Sequence, residues 1–152
     1  MCSRIDLRYA IYDLRAVCQD LRFTRQLMIM AHSMTRQEMK VRTKHYANRV
    51  VQLCQALPNN WIAKTLGAQL LRSATSVGAN YRAVCRAKST ADFINKLRIV
   101  EEECDESLFW MELLVENNLV KPARLESLMK EGDEIVSIVV ASTKTARTSK
   151  IS

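Results

Sequence analysis

Five cationic side chains lie close together near the middle of the sequence, where they could bind phosphate groups. They are Arg82, Arg86, Lys88, Lys96 and Arg98. Only one acid, Asp92, lies among them, and the whole chain is basic, with a formal net charge of +7. Such a surface favours polyanions, because Lys and Arg contact phosphates whatever the base sequence. The pattern predicts a nucleic-acid-binding surface, and a solvated helix face is its other interpretation.

An acidic cluster follows this basic stretch and could form ion pairs or hold a metal ion. Residues 101–106 include Glu101, Glu102 and Asp105. In an antiparallel helical hairpin centred near residues 88–89, Arg72 faces this cluster. We therefore expect a structural ion-pair network of Arg72 with Glu101, Glu102 and Asp105. No metal is predicted, because the Glu-x-x-His motif of di-iron bundles is absent.

Residue patterns typical of enzymes are missing. His32 and His45 are the only histidines, and neither belongs to a motif. The sequence has no phosphate-binding glycine loop, no zinc-ligand spacing and no nucleophile elbow. We therefore predict a protein that is not an enzyme and has no cofactor. The five cysteines form no C-x-x-C pair, which favours free thiols in a reducing cytoplasm. No apolar run is long enough for a membrane span, and no signal peptide is present.

Four amphipathic helices are predicted to position these residues. Pro58 ends the first, and Asn60 suits the N-cap of the second, which should run to about Ala87. Ser89 begins the third helix, and Pro122 fits the first turn of the fourth. Only three glycines and two prolines occur, so the joints are short. The predicted fold is all-α, an antiparallel up-down four-helix bundle.

The bundle is assigned to residues 34–146, and residues 147–152 form a polar, basic tail. Residues 1–33 carry an apolar stripe with 4-3-4-3 spacing: Leu7, Ile11, Leu14, Cys18 and Leu21. This spacing permits an extra N-terminal helix. A poorly ordered arm, or upstream sequence included by a wrong start codon, is equally compatible with the segment.

Small polar residues interrupt the middle of the second predicted helix. Ser73, Ser76, Gly78 and Asn80 are modest or poor helix formers, yet they recur with helical spacing. Small side chains let another backbone come close, and hydroxyl or amide groups can bond across the contact. The stripe predicts a close contact between neighbouring helices of the bundle, or else a subunit interface or ligand groove.

The chain resembles a known family over about residues 41–140. The segments that carry this resemblance are "LLRSATSVGANYRAV" and "STADFINKLRIVEEECDESLFWMELL". They are similar to the four-helix bundle proteins, also described as ribosomal-RNA intervening-sequence proteins. The chain departs from that pattern at Ala83, where the family often has Glu. Family chains also commonly begin near Met34, so residues 1–33 lie outside the resemblance.

The resemblance implies a small bacterial all-α protein, and some members assemble as homopentamers. The accessory variability protein of diversity-generating retroelements has a similar fold and works with reverse transcriptase and nucleic acid. We therefore expect a cytoplasmic, non-enzymatic homo-oligomer whose basic surface binds RNA or DNA without sequence preference. The alternative is an oligomeric scaffold that binds a protein partner and has no nucleic-acid role.

Overall fold

The computed structural model of the protein describes residues 34–148, which form four long helices. These are α1 (Arg36–Gln55), α2 (Trp61–Val84), α3 (Thr90–Glu116) and α4 (Pro122–Thr148). No strand occurs in this part of the chain, so the predicted all-α four-helix bundle is confirmed. The predicted extra helix within residues 1–33 and the last four residues of the tail lie outside the described residues.

Local capping explains where the helices begin. Thr35 and Glu38 form a capping box, in which each side chain accepts a hydrogen bond from the other residue's backbone N–H. The Asn60 side chain accepts one from the N–H three residues on, at 2.8 Å, and Ser89 does the same at 3.1 Å. These caps satisfy N–H groups that have no partner within a helix. Pro122 is the first residue of α4, as predicted.

Two helix ends differ from the prediction. α2 ends at Val84 rather than near Ala87, because the chain turns there before the Ser89 cap of α3. α4 continues to Thr148 and carries Arg147 in its last turn. The predicted boundary between bundle and tail at residues 146–147 therefore lies inside a helix.

The four helices pack in chain order around one core. α2 packs closely on α1 and on α3, α3 packs on α4, and α1 meets α4 more loosely. The apolar side of α2 is buried, from Leu70 through Ala74, Val77 and Tyr81 to Val84. Burial of such stripes provides most of the stability of helices in a bundle. No described helix is long and apolar enough to span a bilayer.

A small polar group in the core ties three helices together. The hydroxyls of Tyr46 in α1 and Ser107 in α3 lie 2.7 Å apart, and both side chains are fully buried. Ser107 also hydrogen-bonds to the Cys104 carbonyl at 2.6 Å. The Cys104 thiol donates to the Gly132 carbonyl of α4 at 3.5 Å. Each of these buried groups therefore has a partner, as buried polar groups need.

Candidate nucleic-acid interface

Charge is divided unequally between the two halves of the bundle. We call residues 36–88, which contain α1 and α2, the first hairpin, and residues 89–148, which contain α3 and α4, the second hairpin. The first hairpin has ten Lys and Arg residues and a single acid, Glu38. The second has seven Lys and Arg residues and twelve acids. The net positive charge of the described residues is therefore concentrated on one side of the molecule.

Gly78 brings the two helices of the first hairpin close together. A Cβ atom at this position would lie 3.4 Å from the Thr43 carbonyl oxygen and 3.8 Å from the Lys44 Cα atom. The absence of a side chain thus lets the backbone of α1 lie directly against α2. Arg82 follows Gly78 by about one helical turn, and Lys40 precedes Lys44 by the same interval. The close contact therefore sets lysines of α1 beside arginines of α2.

We call this set of cations the basic face. It consists of Lys40, Lys44, Arg82, Arg86 and Lys88. All are exposed to solvent except Lys40, which is half-buried. None takes part in a salt bridge among the described residues, and the hairpin's one acid, Glu38, is held in the α1 capping box. Their charge is therefore available to an external partner.

The basic face continues around the end of the bundle at Arg36. The Arg36 guanidinium lies 6.0 Å from the ring centroid of Phe93, within the range of a cation–π contact. Arg36 and Lys88 also line a cavity of about 350 Å³ together with Ser89 and Phe93. Arg36 thus adds a sixth positive charge beside Lys88 at the α2–α3 turn.

Two residues predicted for this surface differ from the other three. Lys96 forms an ion pair with Asp92, one turn earlier in α3. The hydrogen bond that Lys96 donates to Asp92 lowers the pKa of this carboxyl group. A second hydrogen bond, from the Lys88 backbone N–H, lowers it further. Arg98 lines a groove between α3 and α4. The predicted set of five is therefore corrected: Lys96 is neutralised by its own helix, and Arg98 lies on the second hairpin.

The predicted ion-pair network also has different partners. Arg72 pairs with Glu103, at 3.6 Å, and with Glu106. The hydrogen bond that Arg72 donates to Glu106 lowers the pKa of Glu106. A weaker contribution in the same direction comes from the hydrogen bond that Trp110 donates. Glu103 and Glu106 are three residues apart and share the side of α3 that faces α2.

The predicted partners Glu101, Glu102 and Asp105 instead line the α3/α4 groove. The network prediction was right about Arg72 and the cluster, and wrong about these three residues. The error arises because each residue turns the helix by about 100°, so neighbouring acids face different helices.

The small polar stripe supports contacts within the bundle at two of its four positions. Ser73 is fully buried, and its hydroxyl donates to the Gln69 and Leu70 carbonyls of its own helix. Gly78 lies against α1, as described above. Ser76 and Asn80 are half-buried. Ser73 and Gly78 therefore serve close helix packing, the first of the two interpretations of the stripe.

An exposed aromatic residue lies far from the basic face. Trp61 begins α2 and is 76% exposed. Arg82 lies 21 residues further along the same helix, which corresponds to about 30 Å. Trp61 therefore cannot stack on a base bound at Arg82. Among residues 34–148, no cluster of His, Cys, Asp and Glu side chains could hold a metal ion.

Sequence reasoning missed Lys40 and Lys44 as members of the basic face. Two signals were present. The lysines are four residues apart on one helix, and no acid occurs between Glu38 and Lys88. Neither signal places them beside Arg82, because that needs the α1–α2 contact at Gly78.

Comparison with known proteins identifies the family of the chain. The family model described as "23S rRNA-intervening sequence protein" matches residues 35–141. The chain is also similar to a protein of unknown function from the S23 ribosomal protein family of Bacteroides thetaiotaomicron, with 35% identity and a TM-score of 0.68. That match covers 73% of this chain and 99% of the other. No curated protein matches. The resemblance drawn from residues 41–140 is confirmed.

Proposed function

Because the chain belongs to the 23S rRNA-intervening sequence protein family, we propose that it is a non-enzymatic bundle that binds RNA or DNA. The observation that carries the proposal is the basic face, five cations without an acidic partner among the described residues. The family's description names an rRNA, which makes nucleic acid the natural polyanion to test.

Binding through this face is expected to use phosphates rather than bases. Lys and Arg on the outside of two packed helices contact the backbone of a nucleic acid without reading its sequence. The exposed Trp61 lies too far away to add stacking. If all five cations contact phosphates of a duplex, log K falls with log salt concentration with a slope of about −4.5. The proposal thus predicts weak sequence preference and strong salt dependence.

Self-assembly is the second part of the proposal. The family resemblance implies a homo-oligomer, with a homopentamer known for some members. Each copy in such an assembly presents the same basic face, so the positive field of one subunit adds to that of its neighbours. A nucleic acid longer than one subunit would then contact several basic faces at once, which raises its overall affinity.

A charge-matched pair of variants tests the nucleic-acid part. The face variant is Lys44→Gln with Arg82→Gln and Arg86→Gln, and the control is Arg98→Gln with Lys144→Gln and Arg147→Gln. Both lose three positive charges, but the control residues line the α3/α4 groove. Fluorescence anisotropy with short RNA and DNA across salt concentrations is the measurement. We expect the face variant to bind more weakly with a slope flatter by about 3, and the control to bind nearly as the parent does.

Two results would contradict the proposal. One is a parent protein that binds neither RNA nor DNA at low salt. The other is a control variant that loses as much affinity as the face variant, since net charge alone would then explain binding. The scaffold alternative would gain support if a single protein co-purified with the chain after nuclease treatment. Circular dichroism melting of both variants shows whether the bundle is intact.

A further inference from the structure

A cavity at one end of the bundle combines positive charge with an apolar wall. It is the cavity of about 350 Å³ at the α2–α3 turn, which Arg36 and Lys88 line. Ala87, Phe93 of α3 and Ala146 of α4 provide its apolar wall. These three residues are half-buried, so the wall is partly open to solvent. We call this site the end cavity, and its volume lies in the range of small-molecule sites.

The described residues that line the end cavity include two cations and no carboxylate. The two cavities between α3 and α4 differ, because each has three carboxylates in its lining. Two acids are near Arg36 and Lys88 in sequence, but neither lines the end cavity. Glu38 is held in the α1 capping box, and the Asp92 carboxylate accepts hydrogen bonds from the Lys96 side chain and the Lys88 backbone N–H. The charge in the end cavity therefore favours an anion.

The contact between Arg36 and Phe93 places charge next to the apolar wall. The Arg36 guanidinium lies 6.0 Å from the ring centroid, and this cation–π contact holds the cation beside the wall. An anion bound at Arg36 therefore has apolar surface next to it. A phosphate group suits Arg, which can donate two parallel N–H bonds to its oxygens, and an unpaired base suits an apolar wall. A nucleotide at the end of a strand carries both groups.

We propose that the end cavity binds the phosphorylated end of a single strand of RNA or DNA. The terminal phosphate contacts Arg36 and Lys88, and the terminal base lies on the apolar wall. At neutral pH a terminal phosphate monoester carries nearly twice the charge of an internal diester, so a cavity with two cations favours the end of a strand. An apolar contact accepts any base, which agrees with the weak sequence preference expected of the basic face.

Lys88 connects the end cavity with the basic face, because it belongs to both. A strand whose end lies in the cavity can continue past Arg86 and Arg82, which contact its next phosphates. A blunt duplex end does not fit, since its terminal base is paired and cannot reach the apolar wall. The inference rests on the proposed function, because it assigns the end of the same ligand to one place on the molecule, and it requires no self-assembly.

Oligonucleotides that differ only at their ends provide the test. Short single strands of one sequence carry a 5′-phosphate, a 3′-phosphate or hydroxyl groups at both ends, and fluorescence anisotropy measures the binding of each. We expect one of the phosphorylated strands to bind about tenfold more tightly than the hydroxyl-ended strand, because charge-assisted hydrogen bonds form only with the terminal phosphate. A nucleoside monophosphate should compete this advantage away, and a nucleoside without phosphate should not.

Two variants should remove this preference and leave the basic face in place. Arg36→Gln removes one cation from the end cavity, and Ala87→Glu adds a carboxylate to it. Each variant should bind the phosphorylated and hydroxyl-ended strands about equally well. The control is Arg124→Gln, which removes an exposed positive charge outside the cavity. All three variants lower the net charge by the same amount, and the control should keep the preference of the parent.

Three results would overturn the inference and leave the proposed function intact. The first is a parent protein that binds phosphorylated and hydroxyl-ended strands equally well. The second is an unchanged preference in Arg36→Gln. The third is a control that loses the preference to the same extent, since net charge would then explain it. A parent that binds none of the strands at low salt overturns the proposed function together with the inference. Circular dichroism melting shows that the variants are folded.

Discussion

The two hairpins bury the same kind of apolar stripe but have opposite exteriors. The first has ten cations and one acid, and the second has twelve acids and seven cations. Both supply fully buried side chains to one core, such as Val50 and Leu70 from the first and Leu114 and Leu125 from the second. The comparison shows that the apolar stripes determine this fold. Surface charge can therefore differ between the two sides of the bundle without changing the fold.

Part of the opposite charge is used where the hairpins meet. Arg42 in α1 pairs with Glu131 and Glu134 in α4. On the other side, Arg72 in α2 pairs with acids of α3. In both places a cation of the first hairpin faces carboxylates of the second. The cations of the basic face take no part in either contact.

The largest effect is expected from breaking the first hairpin at its closest contact. Gly78→Leu places a branched side chain where a Cβ atom alone would lie 3.4 Å from the α1 backbone. Backbone cannot rearrange cheaply, so we expect a loss of about 3 kcal/mol and a fall in Tm of roughly 10 °C. Thermal and urea unfolding are the measurements. Gly78→Ala is the control: its Cβ fits, and it should be neutral or stabilising. Equal stability of the Leu variant and the parent would contradict the contact.

The next effect comes from the ionic contact between the hairpins. Burial lowers the pKa of Arg42, but the hydrogen bonds that its guanidinium donates to Glu131 and Glu134 outweigh this effect, so the net shift is upward. The Arg42 side chain is only 17% exposed, and Arg42→Met leaves two carboxylates without their partner. We expect a loss of about 2 kcal/mol, between the values for exposed and buried pairs.

Chemical denaturation at low and high salt measures this loss. The companion is a triple variant that combines Arg42→Met with Glu131→Gln and Glu134→Gln. Removing both carboxylates should restore most of the lost stability. If the companion is no more stable than Arg42→Met, repulsion between the carboxylates is not the cause.

A smaller effect is expected at the hydrogen bond between Tyr46 and Ser107. Tyr46→Phe removes one hydroxyl while Ser107 keeps its bond to the Cys104 carbonyl, so about 1 kcal/mol is lost. Ser107→Ala should cost more, because the Tyr46 hydroxyl is then buried without that partner. Urea unfolding of the two variants gives the order, and the reverse order would show that this hydroxyl has another acceptor.

The smallest effect concerns repulsion within the second hairpin. Burial, with Asp105 and Glu134, raises the folded-state pKa of Asp133, so the folded protein binds this proton more tightly than the unfolded chain. The contribution of Asp133 to stability therefore falls as the pH rises through that range. Asp133→Asn should be stabilising by about 0.5 kcal/mol at pH 7, and the gain should vanish below about pH 4. Urea unfolding from pH 3 to 8 tests both statements.

Most of the fold could be predicted from local signals. Pro58, Asn60, Ser89 and Pro122 mark helix ends, and capping is a property of a few neighbouring residues. Helical periodicity then identified the buried stripe of α2. The end of that helix was placed three residues too late, because Cys85, Arg86 and Ala87 are all compatible with helix. The chain turns after Val84 because α3 must pack against α2, and no local sequence signal shows this.

The candidate site could be predicted only in part, because it depends on which helix each side chain faces. Arg82, Arg86 and Lys88 follow the end of one helix and remain together. Lys96 and Arg98 are near them in sequence but belong to α3, where Lys96 pairs with Asp92 and Arg98 lines the α3/α4 groove. Lys44 is more than thirty residues from Arg82, and only the packing at Gly78 makes them neighbours. Sequence distance is a poor guide wherever two helices supply one surface.

The loose α1–α4 contact suggests how the chain could be circularly permuted. It is the one pair of adjacent helices in the described chain that no turn connects, yet Arg36 and Ala146 line the same cavity. A short Gly-Ser linker could therefore join the end of α4 to the start of α1. New termini could then open at residues 57–60, at the far end of the bundle. In such a circular permutant the chain runs α2, α3, α4, α1, every helix keeps its partners, and the two helices of the first hairpin become the two ends of the chain.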